Sequence, residues 1–257
     1  MGILTFTLDM DMLKRTRLHR FLCISGFLLV LILSACASTA PQSNSSHPHS
    51  TAGQSTPIPL PDGPVIYVAL GASDAVGVGS KSPGSQGYVP LIAGHLPKGS
   101  HLINLGISGI RLHQALSQEL PLALTTSPNL VTVWLVANDF VDGVLYNDYT
   151  RDLNTLLQRL HTSIHARIVM ADLPDLTRLP AFANQTPPHK AQMLQAIQYW
   201  NKGIAQLARK YNVVLLDLFS HGSEITAHPA YISFDGFHPS ALGYAQLANY
   251  FWQAIKG

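Results

Sequence analysis

Six consecutive apolar residues, Val65 to Leu70, stand between Pro64 and the turn Gly71-Ala72-Ser73, and this run restricts the fold more than any other stretch. A β-branched segment that is apolar at every position, rather than at alternate ones, fits a strand covered on both faces, as in a parallel sheet between helical layers. Further short runs at 101–105, 130–137, 166–171 and 213–218 read as strands. Helical spacing predicts helices over 88–96, 111–120, 149–161, 189–211 and 240–255, with Met193, Ile197, Trp200, Ile204, Leu207 and Tyr211 marking the longest. Strands alternating with helices predict one α/β domain over 64–257, a three-layer α/β/α sandwich around a mostly parallel five-stranded sheet.

The segment before it has a different character. Residues 14–20 are basic and 21–33 apolar, too short for a comfortable membrane span, and they end in Leu33-Ser-Ala-Cys36. That tetrapeptide resembles the bacterial lipobox, which implies a lipoprotein signal peptide over 1–35, acylation of Cys36 and a location on the extracytoplasmic face of a bacterial cell membrane. Met10 or Met12 would start a more ordinary leader than the acidic Met1–Asp11 segment does. Residues 37–63, rich in Ser, Thr, Pro, Gln and Gly, read as a flexible linker. Its His47 and His49 are read as incidental rather than as metal ligands.

Charge and cysteines exclude other classes. The chain carries 16 Lys and Arg against 14 Asp and Glu. Lys14, Arg15, Arg17 and Arg20, with Asp9 and Asp11, precede Cys36, so the remainder is formally neutral and offers nucleic acid no footprint. The only cysteines, Cys23 and Cys36, leave the domain without a disulfide framework.

Ser73, just past the first strand, would sit where open α/β sheets place their chemistry. Asp235-Gly-Phe-His238 precedes the last helix, so one loop can deliver a carboxylate and an imidazole together. Ester cleavage by serine needs a base, a group that orients the base, and donors for the oxyanion. Ser73 is the candidate nucleophile, His238 the base and Asp235 the group that orients it. Ser73 N–H, Gly109 N–H and the Asn138 side-chain amide are candidate donors, the last two also lying at strand ends. Asp217 is the rival acid, and His221 and His228 are competing histidines without an aspartate three residues before them.

Ser73, Gly109, Asn138 and His238, in that order, resemble the four blocks of the SGNH hydrolases, also called the GDSL lipase/esterase family. The resemblance spans residues 66–240, and Asp235 fits the family's Asp-x-x-His block. It implies a metal-independent serine esterase that needs no cofactor and acts on a small-molecule, lipid or glycan ester. A carbohydrate O-deacetylase, an acyltransferase, or a lipid-anchored binding protein without turnover are the alternatives. Two positions depart from the family pattern: Ala72 replaces the aspartate of Gly-Asp-Ser, and Val136 the glycine of Gly-x-Asn-Asp. The connection at 172–188, with Leu173, Leu176, Leu179 and Phe182, is expected to wall the site with apolar surface. There is no Gly-x-Ser-x-Gly elbow, dinucleotide fingerprint or His-Glu-x-x-His motif.

Overall fold

The computed structural model describes residues 57–257. The signal peptide, Cys36, His47 and His49 lie outside them. Five strands, β1 (Ile66–Gly71), β2 (His101–Asn104), β3 (Leu130–Trp134), β4 (Arg167–Ala171) and β5 (Val214–Leu216), form one sheet in the order β2-β1-β3-β4-β5. Every pairing is parallel. The sequence reading of a mostly parallel sheet is therefore met in full.

Ten α-helices connect and cover the described strands: α1 (Ser73–Val76), α2 (Pro83–Gln86), α3 (Tyr88–Ala93), α4 (Leu112–Gln118), α5 (Leu120–Thr125), α6 (Ala137–Val141), α7 (Tyr146–Ser163), α8 (Pro187–Lys210), α9 (Gly222–Ala227) and α10 (Ala241–Lys256). Packing of α3 on α10, and of α10 on β4 and β5, builds one outer layer. In the other, α4 packs on α7, α7 on α8, α5 on β1 and α8 on β5. Right-handed crossovers require this division, because the chain leaves β1 toward one sheet edge and then crosses back over it to β3.

Local chemistry sets the helix ends. The Ser240 hydroxyl accepts from Gly243 N at 3.2 Å to start α10, and Thr186 caps α8, whose first turn holds Pro187 and Pro188. Between the layers, Tyr88, Tyr244 and Phe251 are fully buried, and the rings of Tyr88 and Phe251 stack at 4.9 Å. Burying each such side chain contributes about 1.5–3 kcal/mol.

Several boundaries differ from expectation by one to three residues, as where β5 covers only Val214–Leu216 of the expected 213–218, and two of the differences have a clear physical cause. The apolar run at 130–137 leaves the sheet at Trp134, and Ala137 already belongs to α6. Leu135 and Val136 are nonetheless buried, so the run reports burial and not strand pairing. The helix expected over 111–120 breaks at Glu119 into α4 and α5, with Pro121 in the first turn of the second. Proline has no N–H for a continuing helix but suits a new first turn.

This strand order puts a topological switch point between β1 and β3, where a crevice opens outside the carboxyl ends of the strands. Gly71 pairs in register with Trp134 there, so the chain emerges from both strands at the same level.

Candidate active site

Ser73 opens α1 two residues beyond Gly71. Its amide belongs to the first turn of a helix and has no acceptor within it, which leaves the N–H free to face a ligand. Asp235 and His238 share a loop closed by an antiparallel bridge between Ile232 and Pro239 and by Ser233 N donating to His238 O at 2.9 Å. Gly236 turns that loop at φ +75°, a conformation glycine adopts at little cost.

The two ends of the domain meet here. His238 Nε2 lies 2.8 Å from Ser73 Oγ, and His238 Nδ1 lies 2.7 Å from Asp235 Oδ2. With its proton on Nδ1, the imidazole donates to the carboxylate and accepts from the serine hydroxyl. Asp235 Oδ1 accepts from Phe237 N, His238 N and Ser233 Oγ, at 2.8, 2.9 and 2.8 Å. Partial burial pushes the Asp235 carboxyl up, but these donors and the imidazole outweigh it and hold the group at about 2. The carboxylate therefore stays ionised at any working pH.

Asn138 follows β3 in the first turn of α6. One hydrogen of its amide goes to Ile110 O at 2.8 Å, which fixes the side chain and leaves the second hydrogen for a ligand. Gly109 has φ +78° and open space where a Cβ would project. Two side chains brace the loop that carries it. Asp139 Oδ2 accepts from Leu112 N at 2.9 Å, and Asn104 bridges from Ala75 O (2.6 Å) to Gly106 N (3.1 Å).

The two family departures are structurally quiet. Ala72 and Val136 are buried, and Ala72 O still accepts from Ala75 N and Val76 N to form α1. The rivals are engaged with other partners. Asp217 is exposed and accepts from Ser220 N, His221 pairs with Glu224, and His228 stacks on Tyr231. Among the described residues no cluster of three or more His, Cys, Asp or Glu could hold a metal. No described helix is long and apolar enough to cross a membrane.

A cavity of about 110 Å³ lies against this loop. Its wall is mainly apolar, formed by Trp134, Leu176, Leu179, Phe237 and Leu247, with Asp74, His221 and Glu224 among the polar residues that line it. The 172–188 connection thus contributes apolar wall, organised as two short 3-10 turns, Leu176–Arg178 and Pro180–Phe182. Asp74, Asp139 and Glu119 are buried acidic groups that sequence reading passed over. Burial pushes Asp74 up while the neighbouring His238 pulls it back, and burial raises Asp139 to about 6. Glu119 left a trace in the sequence: it falls seven residues after Leu112 and four after Ala115, on the stripe that faces the core.

Known proteins agree with this architecture. The crystal structure of TesA superposes with a TM-score of 0.60 at 21% identity, over 74% of this chain and 98% of that one. Axe2, an acetylxylan esterase from Geobacillus stearothermophilus, gives 0.60 at 20% identity over 76% and 96%. A protein described as a GDSL-like lipase, from Parabacteroides merdae, gives 0.64 at 23% identity over 77% and 98%. None of the curated proteins is similar enough in sequence to match. Residues 69–246 match the GDSL-like Lipase/Acylhydrolase family over most of the chain, and the protein belongs to that family of ester hydrolases.

Proposed function

We propose that this protein hydrolyses carboxylic esters through an acyl-enzyme on Ser73. The observation that carries the reading is the continuous relay Asp235 Oδ2, His238 Nδ1, His238 Nε2, Ser73 Oγ, with separations of 2.7 and 2.8 Å. His238 takes the hydroxyl proton as Ser73 Oγ attacks the acyl carbon, and Asp235 holds the ring and stabilises the imidazolium. The oxyanion rests on Ser73 N–H, Gly109 N–H and the free hydrogen of Asn138 Nδ2. His238 then protonates the departing alcohol. Water, deprotonated by the same imidazole, attacks the ester of Ser73 and releases the acid.

The apolar cavity beside Phe237 favours a hydrophobic substituent on one side of the ester. Acetylxylan esterases among the structural neighbours support a second reading, removal of acetyl groups from a carbohydrate. A p-nitrophenyl ester panel of increasing acyl length separates the two: rising kcat/KM beyond acetyl supports the first, and steep acetyl preference the second. The Leu33-Ser-Ala-Cys36 tetrapeptide and the linker that follows it support tethering of the domain through acylated Cys36, outside the cytoplasm.

Labelling by a fluorophosphonate probe tests the nucleophile directly. The wild type should label and Ser73→Ala should not. Equal labelling of both proteins would remove the proposal.

A further inference from the structure

Glu119 is fully buried at the junction of α4 and α5, and its Oε2 accepts from Gly71 N at 3.0 Å. Gly71 is unusually placed. Gly71 ends β1 two residues before Ser73, and its carbonyl accepts from Ile107 N, at 3.1 Å, two residues before Gly109. One residue, through its two flanking peptide units, therefore ties the segment carrying the nucleophile to the segment carrying a candidate oxyanion donor. Its own N–H faces a carboxyl group where a sheet would offer a strand carbonyl. The other oxygen, Glu119 Oε1, is buried with no hydrogen-bond partner among the described residues.

We propose that Glu119 is a positioning residue which, by gripping the Gly71 amide, sets the spacing between the Ser73 hydroxyl and the Gly109 amide. The inference rests on the serine-hydrolase reading above. Burial pushes the carboxyl up to about 8, against the opposing pull of the Gly71 and Ile107 amides, so at neutral pH it is a neutral acid. The titratable group that faces it is Tyr88 of α3, itself held protonated by burial. Among the described residues, no lysine, arginine or histidine contributes to the Glu119 shift. On ionisation, a negative charge with little screening appears beneath the peptides that lead to Ser73 and Gly109, where it opposes an oxyanion.

The test uses Glu119→Gln, which keeps an acceptor for Gly71 and cannot ionise, and Glu119→Met, which fills the space but leaves the amide unpartnered. Hydrolysis of p-nitrophenyl acetate, corrected for spontaneous hydrolysis, and the rate of fluorophosphonate labelling are followed from about pH 6 to about pH 10. Wild-type kcat should fall as pH passes about 8. Glu119→Gln should stay within about threefold of wild type at neutral pH and lose that alkaline fall. Glu119→Met, if folded by circular dichroism, should lose about 10- to 100-fold in kcat with little change in KM. An unchanged alkaline limb in Glu119→Gln, or wild-type kcat in folded Glu119→Met, overturns the proposal. If Glu119→Met does not fold, the Glu119→Gln profile decides alone. Failure of the underlying reading looks different, because the wild type itself would then not label at Ser73.

Discussion

Gly79 and His238, from opposite ends of the domain, touch so closely that a Cβ at Gly79 would lie 3.1 Å from His238 Cβ and collide with Pro239 O. Gly79 also has φ +99°, where an L residue is strained. The segment after Ser73 thus forms the floor under the histidine loop. Gly79→Ala should displace His238 from Ser73 and lower kcat by about 10- to 100-fold, with a smaller effect on KM. Steady-state kinetics on the folded variant, checked by circular dichroism, would show it; wild-type kcat would mean that the loop yields without moving the imidazole.

Asp235 spends one oxygen on its own loop and the other on the imidazole. Asp235→Asn can keep the loop contacts, yet its amide favours the wrong imidazole tautomer. If the proposed mechanism holds, a kcat loss of about 10⁴-fold with near-native thermal stability is expected, as for the same change in a serine-protease triad. Because the folded pKa, about 2, lies below the ordinary aspartate value of 3.8, the stabilisation from this carboxylate is present above the unfolded value and is lost as pH falls through the folded one. Wild-type stability should therefore drop more steeply than that of Asp235→Asn when pH is lowered from about 4 to about 2.

Asn138 donates one amide hydrogen to Ile110 O, and the proposed mechanism gives the other to the oxyanion. Asn138→Ala should reduce kcat by about 10²–10³-fold while KM changes little, since the lost donor acts on charge that develops in the transition state. A change confined to KM would assign Asn138 to substrate binding instead.

Asp172, at the end of β4, accepts from Leu218 N at 2.8 Å and Phe219 N at 3.2 Å, but burial and the charge of Asp217 raise it to about 7. Here the folded pKa lies above the unfolded one, so the native state binds the proton more tightly and stability is lost as pH rises from about 4 through about 7. Asp172→Asn keeps an acceptor oxygen and cannot ionise. Urea unfolding should find it more stable than the wild type by about 1–3 kcal/mol at pH 8, with a smaller difference at pH 5. Equal differences at both pH values would show that Asp172 does not titrate in this range.

The strands and long helices were legible in the chain because a buried strand must be apolar throughout and an amphipathic helix must repeat its apolar residues every three or four positions. For the same reason the apolar run at 130–137 misled by three residues: Leu135 and Val136 are as apolar as a strand requires, but they fill core without pairing. Asp235 and His238 could be placed together from sequence, since three residues of one loop cannot carry them far apart. Their meeting with Ser73 is another matter. It depends on the order β2-β1-β3-β4-β5, on α10 folding back beside α3, and on Gly79 admitting Pro239 to van der Waals contact. Glu119 marks the division most sharply: its place on the buried stripe was written in the spacing of α4, while its partner, Gly71 N, comes from a strand far away in sequence. A residue's identity and period determine which surface it seeks, but the protonation state and partner of a buried polar group depend on desolvation and distance, and those exist only once the chain has closed on itself.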